Sequence, residues 1–476
     1  MNNKSECLIH GKGMEEIMYQ IDFNKPETIH FIGIGGISMS GLAEILLDEG
    51  FTVSGSDAHR TELTDNLEAK GAKVFYGQKA ANIYDGIDVV VYTAAIHKDN
   101  PEFMEVEARG IPMLSRAQLL GEMMRNYEQA VAVAGTHGKT TTTSMITEIL
   151  LAAEENPTIS VGGILNSIGG NIRVGGPELF VTEACEYTNS FLSFFPTIEV
   201  ILNIEEDHLD FFKDINDIRS SFREFAGKLP ESGLMVISSD IENYQEIVDG
   251  LPCRVVTCGK DRTSTYSAGG IQYDELARPS FDLIVKGEKA EHIKLGVPGE
   301  HNVYNALAAV AVAGELGISM DAVVKGLGKF TGTNRRFEKK GEIGGVVIID
   351  DYAHHPREIA ATLSAAQNYP HRKLWCVFQP HTYTRTKAFL NEFAQALSAA
   401  DEVILADIYA ARETDNLGVS SGDIAEKIQE LGTTAHYIPS FDEIETFILK
   451  NCVNGDLLIT MGAGDIVKVG EKLLGV

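Results

Sequence analysis

Short apolar runs recur along the chain, separated by stretches whose apolar positions return at helical spacing, the pattern of helices with one buried face. Ile29–Ile34, Thr52–Ser54 and Val89–Thr93 predict buried strands, and Ser40–Glu49 predicts a helix between the first two. Such alternation implies a parallel, doubly wound sheet, because parallel neighbours need a crossover that packs on the sheet's face. The pattern restarts after a helix and connector at Arg116–Gln129. Ala130–Ala134, Leu179–Thr182 and Val200–Ile204 predict strands of a second unit, whose later part, Cys253–Pro298, reads as a small antiparallel patch. The helix Val303–Leu316 closes that unit on its core. A third unit carries strands at Val346–Asp350, Leu374–Phe378, Glu402–Ala406 and Leu457–Met461, with helices at Arg357–Ala366, Lys387–Ala399 and Gly422–Glu430.

Length agrees with several units: 476 residues exceed the roughly 100 to 200 that one hydrophobic core usually serves. The expected organisation is an α/β protein with an extension at 1–25, a Rossmann-like domain at 26–118, a central P-loop-type mixed-sheet domain at 119–333 and a Rossmann-like domain at 334–476. Gly332 and the basic pair Arg335-Arg336 mark the last boundary. Charge narrows the function: 68 acidic against 40 basic residues, a net of -28, argues against nonspecific nucleic-acid binding. Substrate anions must therefore meet local cations or a metal. The six cysteines are scattered without a CxxC pair, which predicts reduced thiols rather than a zinc or disulfide framework. The first 25 residues carry mixed charge and no signal-peptide core, and no apolar run of ~18 residues predicts membrane insertion. The cytoplasm is the expected location.

The strongest chemical signal is Gly135-Thr136-His137-Gly138-Lys139-Thr140, between an apolar strand and a helical segment beginning at Thr141. Backbone N–H groups of such a loop are expected to face phosphate oxygens, with Lys139 on the β- and γ-phosphates and Thr140 or Thr141 giving a hydroxyl to Mg²⁺. The loop is shorter than a strict Walker A, whose first glycine would fall at Val133. Two further strand ends carry acids: Glu183 after Leu179–Thr182, and Glu205-Glu206-Asp207-His208 after Val200–Ile204. Carboxylates suit Mg²⁺; His208 would ligate it or orient a water or carboxylate.

Near the N-terminus, Gly33, Gly35, Gly36 and Ser38 follow a strand and open a helix, with Asp57 ~20 residues beyond. Ser38 replaces the third glycine of a nicotinamide fingerprint, so a diphosphate-bearing nucleotide fits better than NAD. In the last unit, Asp350-Asp351-Tyr352-Ala353-His354-His355-Pro356 and Gln379-Pro380-His381-Thr382-Tyr383-Thr384-Arg385 stand at successive strand ends. Such groups suit a carboxylate and an amine, Arg385 through its planar fork.

Together these motifs resemble the Mur ligase family from Ile29 onward, with Glu183-Ala-Cys-Glu186, Asn203-Ile-Glu-Glu-Asp-His208, His301-Asn302-Val-Tyr-Asn305 and Gly332-Thr-Asn-Arg-Arg-Phe337 as further matching pieces. The resemblance implies a ligase that phosphorylates the carboxylate of UDP-N-acetylmuramate with ATP and Mg²⁺ and passes the acyl group to L-alanine. It implies UDP binding by the first domain, with Asp57 and the turn containing Ala94 and Ala95 nearby. ATP would lie on Gly135 to Thr141 with Asn302 and Asn305 near adenine, and the metal at Thr140, Glu183 and His208. Lys139 and Arg335 or Arg336 would hold the phosphoryl charge, with Asp351 also in the catalytic set. Tyr352, His354, His381 and Arg385 would receive the amino acid. Where later-acting family members carry a modified lysine this chain has Phe222, which favours the alanine-adding branch. The alternative within the family is a ligase that adds a preformed tripeptide. Outside it, a dehydrogenase would leave Lys139 and Glu183 idle, and a non-catalytic nucleotide-binding regulator would survive loss of Lys139.

Overall fold

Five short parallel strands build the first sheet in the order Lys73–Tyr76, Thr52–Asp57, Thr28–Ile32, Val89–Tyr92, Met113–Ser115. The computed structural model describes residues 19–93 and 95–476; Cys7, Ala94 and most of the expected extension at 1–25 lie outside the described residues. Chain order reverses at Thr28–Ile32, so the crevice beyond that strand's carboxyl end is where such a sheet takes a ligand. The helix that follows, Ile37–Asp48, starts earlier than its apolar spacing predicts. This sheet belongs to the first of two compact units, which ends at Met123.

The second unit holds two sheets. One has ten strands, and its centre places Gln129–Ala134 between Ile198–Ile201 and Leu179–Ala184, all parallel. The three loops leaving these strands therefore emerge side by side. Val131, Val133, Ile198, Val200 and Val181 face a core shared with the helices Lys139–Ala152 and His301–Glu315. The expected patch over Cys253–Pro298 is corrected in one respect. Arg254–Gly259 continues the parallel sheet beside Leu234–Ser238, and only Tyr266–Tyr273, Pro279–Val285 and Glu288–Lys294 run antiparallel, as an extension of the same sheet.

The other sheet runs Glu338–Ile343, Val346–Asp351, Leu457–Met461, Leu374–Phe378, Glu402–Leu405, Thr434–Tyr437, with only the first strand antiparallel. Apolar clusters cover both of its faces, one containing Leu363, Phe378 and Phe393 and the other Trp375, Ile444 and Val469. This two-sided burial explains why its central strands read as continuous apolar runs. The single helix expected at Lys387–Ala399 is two, Tyr383–Ala388 and Leu390–Leu397, broken at Phe389 where φ is -115° and ψ 28°. Among the described residues, no helix is long and apolar enough to cross a membrane.

One residue violates the pattern. Glu199 alternates with Ile198 and Val200 on the strand Ile198–Ile201, is 0% exposed, and neither of its carboxylate oxygens has a hydrogen-bond partner. Burial pushes its pKa well above the ordinary 4.5, with the Lys228 charge a weaker opposing influence. Below pH 4.5 folded and unfolded chains both keep this proton. Above it the unfolded chain loses the proton first, so stability falls as pH rises toward the folded-state pKa. We expect Glu199→Gln to gain stability over the parent by more than about 1 kcal/mol between pH 4.5 and 7.5, read from urea midpoints. Parallel stability curves for the two proteins would refute this.

Candidate active site

The turn after Gln129–Ala134 is shaped by two left-handed glycines. Gly135 has φ 140° and Gly138 φ 85°, and a Cβ on Gly138 would sit 2.6 Å from Asn305 Oδ1. A reciprocal clamp holds the backbone between them: His137 N donates to Asn203 Oδ1 at 2.8 Å, and Asn203 Nδ2 donates to the His137 carbonyl at 3.0 Å. Thr136 N also donates to the Asn203 carbonyl, at 3.3 Å. The Thr136 and His137 amides, expected on phosphate, are thus committed to the neighbouring strand end. The donors left for an anion are those of the first turn of Lys139–Ala152, which lack intrahelical acceptors and carry the positive end of the helix dipole.

Lys139 is folded back on its own loop. Its Nζ donates to the Gly135 carbonyl, to the Thr136 carbonyl at 3.1 Å and to Glu186 Oε2 at 3.0 Å. Burial alone would lower the lysine pKa, but the Glu186 carboxylate overrides it and holds the ammonium charged. Thr140 Oγ1 donates to Glu183 Oε2 at 3.1 Å, while the other Glu183 oxygen accepts the Gly162 amide. A hydroxyl and a carboxylate at this spacing are the hard oxygen donors that Mg²⁺ takes. His208 has φ 53°, and its Nε2 faces Glu186 Oε1 at 3.9 Å and Asp207 Oδ2 at 3.8 Å, while its ring stacks on Tyr187 at 4.5 Å. That environment suits orienting a bound water as well as ligation.

A cavity of about 1450 Å³ opens over these groups. It is lined by Thr136, His137, Gly138, Lys139, Thr140 and Thr141 of the loop, and by Glu183 and His208 of the adjoining strand ends. Asn302 and Asn305, hydrogen-bonded to each other at 3.0 Å, line it from the start of His301–Glu315. From the last sheet it receives Arg336, Asp351, Tyr352 and His354. Burial raises Asp351 to about 6, although its oxygens accept the Phe337 and Ala353 amides at 2.9 and 2.8 Å. Burial lowers His354 to about 4, leaving it neutral at pH 7, with Nδ1 3.0 Å from the Tyr352 carbonyl.

Gly135, Arg335, His381 and Arg385 do not line this cavity. Arg335 spends its guanidinium on Asp350 at 2.8 Å and on the carbonyls of Gly462 and Gly464 at 2.7 and 3.0 Å. Arg336, beside it, reaches the cavity, as does Arg357. Arg385 donates from Nε and Nη2 to Asp207 Oδ1 at 3.1 and 2.9 Å, and from Nη1 to His381 at 3.2 Å. Burial would raise Asp207, yet Arg385 drives its pKa far below the ordinary carboxylate value. Phe222 is in the core, edge-on to Phe191 at 5.2 Å.

In the first unit, Gly33 has φ 88°, and a Cβ there would lie 2.9 Å from Thr93. The amides of Gly33 and Ile34 both donate to the Ser56 carbonyl, at 2.8 and 3.0 Å. Asp57 Oδ2 accepts the Gly35 amide at 2.8 Å, so this carboxylate shapes the glycine loop itself. Gly36 caps the following helix, Ser38 Oγ accepts from Arg116 at 3.2 Å, and Ala95 is exposed.

Several groups that shape the site were given no role by the sequence reading. Glu186 is 2% exposed and holds Lys139; Asn203 clamps the loop; Glu358 Oε1 lies 3.0 Å from His137 Nδ1. Glu186 follows Glu183 closely at the same strand end, and Asn203 opens the acidic run, so both stood beside recognised signals. Glu358 sits within a helix and carried none.

Comparison with known proteins accounts for nearly the whole chain. Residues 28–128 match the model described as Mur ligase family, catalytic domain, residues 133–313 the Mur ligase middle domain, and residues 335–464 the Mur ligase, glutamate ligase domain. A UDP-N-acetylmuramate–L-alanine ligase from Lachnospira eligens is 63% identical over 458 residues, covering 96% of this chain and 100% of the relative. One of the same name from Agathobacter rectalis is 62% identical over 96% of this chain and 100% of its own length. Among solved structures, the UDP-N-acetylmuramate-alanine ligase of Thermotoga maritima aligns with TM-score 0.77 and 31% identity, covering 94% of this chain and 98% of that one. A murein peptide ligase from Psychrobacter arcticus gives 0.67 and 26%, over 94% and 98%. With its phosphate loop, paired strand-end acids and three sheets matched from end to end, the chain belongs to the Mur ligase family.

Proposed function

We propose that this chain joins L-alanine to the carboxylate of UDP-N-acetylmuramate at the expense of ATP, through an acyl phosphate, in peptidoglycan precursor synthesis. The observation that carries this reading is the 63% identity over 96% of the chain to a relative of that name. It is supported by a cavity that gathers Lys139, Thr140 and Glu183 with Tyr352 and His354. The proposed division of labour gives UDP to 26–118, ATP to 119–333 and the amino acid to 334–476. Both nucleotide substrates belong to the cytoplasm, where we place the reaction.

A carboxylate resists an amine because its leaving group would be oxide. Transfer of the γ-phosphoryl group to the muramoyl carboxylate makes phosphate the leaving group. In this reading Lys139 leaves Glu186 for the β- and γ-phosphates, and the first-turn amides of Lys139–Ala152 cradle the same charge. Arg336 offers a second cation from across the cavity. Mg²⁺, which we assign to Thr140 and Glu183 with His208 beside it, would neutralise phosphate charge. The alanine amine then attacks the acyl carbon, and the tetrahedral intermediate expels phosphate. His354, neutral at pH 7, is our candidate to accept a hydrogen bond from the attacking amine and orient it. Arg385 would receive the alanine carboxylate by exchanging it for Asp207.

Removing Lys139 should slow the phosphoryl step without touching the UDP end of the substrate. We expect Lys139→Ala to cut ADP release by about 100-fold or more while leaving UDP-N-acetylmuramate affinity nearly unchanged. Release at the parental rate would remove phosphoryl transfer from this loop. In a coupled ADP-release assay with UDP-N-acetylmuramate and a panel of amine acceptors, L-alanine should give the highest kcat/KM. Indifference to alanine together with turnover of a preformed tripeptide would instead select the tripeptide-adding reaction.

A further inference from the structure

His137 of the phosphate loop, Glu205 of the turn beyond Ile198–Ile201, and His355, the N-cap of the helix Pro356–Gln367, come from three separate segments. Each nevertheless offers one ligand-type atom within 4.8 Å of those of the other two. His137 Nε2 and Glu205 Oε2 stand 3.3 Å apart, the separation a tetrahedral ion with bonds near 2.0–2.1 Å imposes on its ligands, about 3.3 Å. Both atoms are shielded from solvent and, apart from this ion pair with each other, neither has a partner; an ion bound between them would displace the Nε2 proton that Glu205 otherwise faces.

The surroundings have the form of a metal site's supporting shell. His137 Nδ1 is 3.0 Å from Glu358 Oε1, a pairing that fixes the imidazole and turns Nε2 toward Glu205. His355 is 4% exposed, and its ring lies 4.7 Å from that of His137. Its Nε2 is 3.1 Å from the Glu206 carbonyl, which likewise fixes the ring, while Nδ1 accepts the Arg357 amide at 3.3 Å and the side chain also caps the Glu358 amide. Ligation through Nδ1 would trade the side-chain cap of this helix for the ion. The second Glu205 oxygen is held by Arg357. Two imidazoles and one carboxylate suit Zn²⁺, Co²⁺ or Ni²⁺ and disfavour Mg²⁺, which takes oxygen ligands.

We propose that His137, Glu205 and His355 form a binding site for a divalent transition ion of the Zn²⁺ or Co²⁺ type, separate from the position assigned to Mg²⁺, which fastens the phosphate loop to the helix Pro356–Gln367. The proposal is independent of the ligase reading. An ion there ties the nucleotide loop to a helix of the last sheet and holds both in the arrangement described.

Cobalt(II) titrated into the full-length, nucleotide-free protein tests this without an activity readout. One equivalent should produce the intense visible absorption of four-coordinate Co²⁺, which Zn²⁺ abolishes and excess Mg²⁺ does not. Glu205→Gln and His355→Gln should each weaken Co²⁺ binding by about tenfold or more, whereas Glu183→Gln should leave the bands in place. Should His355→Gln fail to fold, Glu205→Gln decides alone. Absence of the bands, their persistence at full affinity in Glu205→Gln, or their loss in Glu183→Gln would overturn the proposal.

Discussion

A lysine ammonium withdrawn from water must be met by an opposite charge, and at Lys139 that charge is Glu186, itself 2% exposed, at 3.0 Å. The same requirement recurs around the cavity. His137, which burial would leave neutral, is pushed up to about 9 by the Glu358 and Glu205 carboxylates on either side. Arg385 and Asp207 neutralise each other at 2.9 Å, and Arg335 and Asp350 at 2.8 Å. Several partners lie on different sheets, so the charges that would handle an anionic nucleotide also hold the second unit's two sheets together. A substrate anion entering the cavity therefore competes with a resident carboxylate for a cation already engaged. Binding then becomes an exchange of partners, which costs less than burying a fresh charge.

The strands of this fold were legible because burial on both faces leaves runs such as Leu374–Phe378 and Leu457–Met461 almost wholly apolar. The second unit's edges were less so. Gly170–Arg173 and Glu288–Lys294 are half-exposed or exposed strands whose residues carry little apolar signal. The break at Phe389 went unread because no proline or glycine marks it and the flanking residues favour helix.

For the candidate site, what could be read was residue type at a strand end: Lys139, Thr140, Glu183, Asp351 and His354 do line one cavity. What could not be read was which neighbour a side chain had already taken. Arg335 and Arg336 are adjacent and chemically equivalent in sequence, yet one is bound to Asp350 and two carbonyls while the other reaches the cavity. Asp57, read as a contact for a nucleotide, also accepts the Gly35 amide, a partner the sequence does not show. Pairings of this kind depend on register between distant segments, and a single sequence does not display that.

The clamp between His137 and Asn203 joins positions 66 residues apart. The phosphate loop cannot take its shape until Ile198–Ile201 has paired with Gln129–Ala134 and brought Asn203 alongside. During synthesis on the ribosome, a chain that ends before Asn203 carries every residue of the loop and still lacks the loop's form.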